Sequence, residues 1–114
     1  MAELQRVGWV GKSGKIYEYF VHDSSESVLP AAGNFIWAKL LPNKTWVAIC
    51  IGEGERLSNV VKDGMTYPCV IQHGATHLHI HTTSPLISRY ERRNERNDLV
   101  DLHQPACTQF PESF

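Results

Sequence analysis

No apolar run in this 114-residue chain approaches the roughly 20 residues a membrane-spanning helix needs. The N-terminus has no signal-peptide shape either. The expectation is therefore a cytoplasmic protein with no membrane partner. Cysteine is scarce: Cys50, Cys69 and Cys107, with no CxxC pair. An odd count without a disulfide framework points to reduced thiols in a reducing compartment. Net charge is nearly absent at -1. That argues against broad nucleic-acid binding, which relies on Lys and Arg neutralising phosphates, but leaves room for a local basic patch. Internal repeats and low-complexity tracts are lacking. With 42% hydrophobic and 20% charged residues the chain is that of a folded protein. Its length suits one core, so a single domain over 1–114 is expected, with 109–114 as a tail.

Two short apolar segments carry most of the information. One opens Gly33-Asn34-Phe35-Ile36-Trp37-Ala38, and the other is Trp46-Val47-Ala48-Ile49-Cys50-Ile51-Gly52. Pro42 and Asn43 favour a turn between them. Residues 35–40 and 46–51 thus read as a hairpin of central strands covered on both faces. Residues 7–10 and 16–21 flank Gly11-Lys12-Ser13-Gly14 and form an N-terminal hairpin. Residues 22–32 are polar and Ser-rich, a surface loop. Residues 54–62 read as a short helix with Leu57, Val60 and Val61 inward and Gly64 as its stop. Residues 67–72 fit no single pattern. Residues 76–82 alternate as a strand, and 85–102 are helical, with Pro105 just beyond. The fold class is α+β: a small antiparallel sheet flanked by two or three helices, with an N-terminal hairpin.

Gly33-Asn34-Phe35 and Cys50-Ile51-Gly52 resemble the two name-giving tripeptides of the GIY-YIG endonuclease family. The resemblance spans about 30–108. It includes the order hairpin, short helix, strand, longer helix, and an ending similar to Asp98-Leu99-Val100 and His103-Gln104-Pro105. Such a domain implies a phosphodiesterase site with tyrosines, an arginine, a glutamate holding a divalent metal, and an asparagine. The chemistry needs a cation and an aligned nucleophile. Carried over residue by residue, most of the set is degenerate. Phe35 and Cys50 stand at the tyrosine positions and Val60 at the arginine position. Arg96, with Glu95 beside it, falls at the glutamate position, and Thr108 at the asparagine position. The resemblance implies a domain that has lost family-type cleavage.

Thr76-His77-Leu78-His79-Ile80-His81-Thr82 puts three histidines on one strand face and Leu78 and Ile80 on the other. Same-face neighbours are about 6.6 Å apart. Two of His77, His79 and His81 can therefore share an ion, but not all three, and a further ligand would come from Glu95 or His103. The alternative is a half-exposed face whose histidines bond neighbours or solvent. Arg89, Arg92, Arg93 and Arg96 form a basic stripe at helical spacing beside Glu91, Glu95 and Asp98. Pairing on a solvated face explains such a stripe. A phosphate-binding surface, taken together with the sheet face near Phe35 and Cys50, is the functional reading.

Three functions follow. The first is a non-catalytic or weakly active domain that binds nucleic acid or another anionic, phosphate-bearing ligand through Arg89, Arg92, Arg93 and Arg96. The second is an active metal-dependent phosphodiesterase or nuclease using His77, His79, His81 and Glu95 with a divalent ion as cofactor. The third is a protein-interaction or inhibitor module, including a homodimer.

Overall fold

The computed structural model describes residues 5–23, 31–59, 67–84 and 86–107. Among them are five strands: β1 (Arg6–Val10), β2 (Ile16–Asp23), β3 (Gly33–Leu40), β4 (Trp46–Gly54) and β5 (His77–Thr82). Helix α1 (Pro68–Gln72) precedes β5, and α2 (Arg89–His103) follows it. Residues 57–59 are helical as well. The rest of the helix expected there, with Val60, Val61 and Gly64, lies outside the described residues, as does the tail at 109–114.

Among the described residues these five strands pair antiparallel with one another, in the order β1-β2-β5-β3-β4. The fold class read from the sequence is the one observed, N-terminal hairpin included. Each hairpin closes on a residue with positive φ: Gly14 at 89° in the first, Lys44 at 72° in the second. Asn43 supports the second turn differently, accepting from the backbone and hydroxyl of Thr45.

The hairpin β3–β4 forms as expected, but only β3 is central, lying between β5 and β4. β4 is an edge strand. Its apolar sequence reflects covering of its two faces, which does not require neighbours on both sides. The edge is blunted where the Cys107 N–H donates to the Ile49 carbonyl at 2.9 Å, an arrangement that limits stray strand pairing. A bulge skips Ile49: Trp37 pairs with Cys50, whereas Ala38 pairs with Ala48. β4 also runs on to Gly54, past the Gly52 end expected for it.

Alternation divides the core in two. Phe35, Trp37, Cys50, Leu78 and Ile80 pack on one face with Leu57, Val70 and Cys107. Trp9, Tyr19, Ile36, Ile51 and Leu99 pack on the other, where α2 lies against β4, β3 and β1. A Cβ at Gly52 would run into the Phe35 ring, so this glycine makes room for an aromatic side chain.

Other boundaries differ from the sequence reading for identifiable reasons. His22 belongs to β2 rather than to a loop, since it pairs with Leu78. The ambiguous 67–72 segment is α1, started by Pro68, whose missing N–H costs nothing in a first helical turn. α2 starts at Arg89 rather than at 85. Ser88 is its N-cap and accepts from Glu91 N, three residues on. The reduced-thiol expectation is also corrected: Cys69 and Cys107 form a disulfide. α1 and the C-terminal segment bring them together across 38 residues, a separation that carries no spacing signature. Cys50 alone is a free, buried thiol.

Candidate functional site

Polar residues are costly inside a core unless paired, yet a row of them crosses the face beneath α2. Asn34 of β3 is opposite His81 on one side and Glu53 on the other. Asn34 is 0% exposed and Glu53 3%. α2 answers this row with residues three apart. The Arg92 Nε donates to Glu53 Oε2 at 3.1 Å, and the Arg92 carbonyl accepts from Asn34 Nδ2 at 2.8 Å. Glu95 Oε2 accepts from the Tyr19 hydroxyl at 2.6 Å and lies 2.9 Å from His81 Nδ1. With a carboxylate opposite it, Nδ1 is the donor, which leaves Nε2 as the ring's other polar atom. The row and the helix thus match base to acid at both ends.

A cleft of about 480 Å³ opens above the His81 end. Lys15 and Tyr17 of the first hairpin, His81 and Thr83, and Glu91 and Glu95 of α2 are among its lining residues. Asp98 holds the hairpin in place. It accepts from the Ser13 backbone and hydroxyl and from the Tyr17 hydroxyl at 2.9 Å. The Ser13 hydrogen bonds draw the Asp98 pKa down. Burial, aided by Asp98, pushes Tyr17 up to about 12. Burial and the Glu95 carboxylate lift Tyr19 well above its ordinary range. Both phenols remain protonated donors. The hydrogen bond to Glu95 raises the His81 pKa against an opposing effect of burial. Asn34 Oδ1 and Thr83 Oγ1 are buried without a partner among the described residues. At a cleft wall, such groups mark where an ordered water or a ligand atom belongs.

The three histidines share one face, as the alternation predicts, but their surroundings diverge. His77 bonds Thr76 at 2.9 Å and meets the Trp46 ring. His79 is fully buried, not half-exposed, between Trp9 and Trp46. Its Nδ1 accepts from Trp9 Nε1 at 2.9 Å, so the neutral ring carries its proton on Nε2. Burial lowers its pKa to about 4, with smaller effects from His77 and His22. Only His81 meets Glu95. Among the described residues, the four proposed ligands do not converge on one point.

Among the described residues, the positions resembling the nuclease set are not assembled around one pocket either. Phe35 and Cys50 are 0% exposed and lie on the sheet face opposite Glu95. Burial raises the Cys50 thiol, which donates to the Cys107 carbonyl. Val60 and Thr108 lie outside the described residues, and Arg96 bonds Asn97. The phosphate surface drawn from Phe35, Cys50 and the arginine helix is therefore corrected: the sheet separates its parts.

The solvated stripe is corrected in part. Arg92 is 4% exposed and is the buried partner of Glu53. Arg89 and Arg93 are about half-exposed and reach Glu53 Oε1 at 3.9 and 3.5 Å. Sequence reasoning missed Glu53, Asn34, Tyr19 and Lys15. A signal existed for two of them, since Asn34 and Glu53 are polar interruptions in otherwise apolar strands.

No family model, curated protein or solved structure matches the chain.

Proposed function

We propose that this chain is a GIY-YIG-like domain that has lost the nuclease set and works by binding in the cytoplasm. Its ligand carries a phosphate and hydrogen-bond donors, as a nucleotide or the end of a nucleic-acid strand does. The single observation behind this reading is His81, oriented by Glu95 at 2.9 Å in the wall of a cleft that also holds Lys15. Protonated His81 and Lys15 attract a phosphate, while the unpartnered Asn34 and Thr83 oxygens suit N–H and O–H groups. The cleft volume is in the range of small-molecule sites. The Glu95 oxygen facing His81 is already engaged by Tyr19, which favours binding over a metal-dependent phosphodiesterase built on the histidine strand.

The test is titration of the purified protein with adenosine monophosphate and with a short single-stranded DNA. Binding should weaken with salt and tighten from pH 7.5 to pH 6, as His81 gains its proton. His81→Gln should cost about tenfold in affinity, with unchanged circular dichroism. If neither probe binds, or if His81→Gln binds as the wild type does, the reading is wrong.

The same preparation, given Mg²⁺ or Mn²⁺ and duplex DNA, should show no robust cleavage. Phe35→Tyr with Cys50→Tyr should not create any, because both positions are sealed on the face away from Glu95. Cys50→Tyr should also overpack the core, at a cost of about 1–3 kcal/mol. Strong metal-dependent cleavage by the wild type would overturn this expectation.

A further inference from the structure

Cys69 and His73 stand four residues apart and so share one face of α1 and its C-cap. Cys107 reaches the same spot from the C-terminal segment that borders β4. The sulfurs of Cys69 and Cys107 and a ring nitrogen of His73 all lie within 4.8 Å of one another. The disulfide uses the two sulfurs alone. His73 is exposed, and its ring makes no hydrogen bond or ion pair among the described residues. A disulfide needs no imidazole beside it. Two thiolates and an imidazole, however, form a zinc donor set with one position left open.

We propose that Cys69, His73 and Cys107 form a zinc-binding site in the reduced protein, and that the disulfide is the same site's oxidised, metal-free form. The conversion balances with a dithiol as reductant. It passes two electrons to the Cys69–Cys107 bond and closes its own sulfur–sulfur bond, while its two protons go to the freed thiols. Zinc then displaces both thiol protons to solvent. Bond lengths of about 2.3 Å to sulfur and 2.0–2.1 Å to nitrogen are attainable by small side-chain movements from the present spacing. Thiolate and imidazole donors select zinc over magnesium. In either form the cross-link keeps Cys107 on the β4 edge, where its N–H meets Ile49 and its carbonyl meets Cys50.

The test uses the full chain, reduced with dithiothreitol, desalted without oxygen and titrated with Co²⁺. One equivalent should produce thiolate-to-cobalt charge-transfer absorption and the intense visible bands of a tetrahedral site. Zn²⁺ should displace it and Mg²⁺ should not. The disulfide form should give neither band. His73→Ala, at an exposed position, should lower Co²⁺ affinity at least about tenfold with unchanged circular dichroism. Cys107→Ser should abolish the charge-transfer band. Should that variant fail to fold, the His73→Ala comparison decides. Absence of the band in the reduced wild type, or equal affinity in His73→Ala, overturns the proposal.

Discussion

Glu53→Ala should lower the unfolding free energy by about 3–5 kcal/mol, the range for breaking a buried ion pair. Glu53 and Arg92 are 3% and 4% exposed. Removing the carboxylate strands a buried guanidinium, with Arg89 and Arg93 close enough to repel it. The control is Arg93→Ala. Its side chain is half in solvent, so the change should be below about 1 kcal/mol. Replacing both buried partners with Met removes the charges together and should cost much less than Glu53→Ala alone. Urea unfolding of the four proteins measures all three differences. A loss below about 1 kcal/mol in Glu53→Ala would mean that the pair does not anchor α2 to the sheet.

Stability should fall by on the order of 3 kcal/mol between pH 6.5 and pH 4 through His79 alone. Its folded pKa is lowered to about 4 from 6.5, first by burial. Across that window the unfolded chain binds a proton that the folded chain refuses, so stability is lost as pH falls. The geometry gives the same sign. A proton on Nδ1 would face the Trp9 N–H, which already donates to that atom. His81 acts in the opposite direction. Its raised pKa contributes stability that is fully present below pH 6.5 and is lost as pH rises through the folded value. The two rings therefore act on opposite limbs: His79 lowers stability toward acid, and His81 gives up its contribution toward base. His79→Gln keeps an acceptor for Trp9 without titrating, so it should flatten the acid limb in denaturant unfolding from pH 4.5 to 8. An acid limb as steep as the wild type's would remove His79 as its cause.

Much of the fold was legible because it depends on local rules. Alternation placed His77, His79 and His81 on one face of β5. Apolar runs bounded by Pro42 and Asn43 marked the β3–β4 hairpin, and Gly11 to Gly14 marked the β1–β2 turn. These patterns need only the pleat of a strand and the chemistry of turns. The start of α2 was missed because its signal, Ser88 with Glu91, is one hydrogen bond between residues that also fit inside a longer helix. β4 read as central because an apolar strand reports coverage of its faces, not the number of its neighbours.

The candidate site was legible only in fragments. Residue type and strand alternation point to Glu95 and His81, but as members of one metal set with His77 and His79. Their pairing depends on which face α2 covers, and helical spacing alone does not specify that. The arginine stripe shows the same limit most clearly. Spacing and interleaved acids describe a solvated helix, yet Arg92, Glu95 and Leu99 point inward. The reason lies on another element: Asn34, Glu53 and His81 stand side by side on three strands and supply the partners that make burying those charges tolerable. Local pattern determined the strands, the turns and the histidine face. Only the packing of α2 on the sheet decided which polar residues are buried together, because burial of a charge depends on partners distant in the chain.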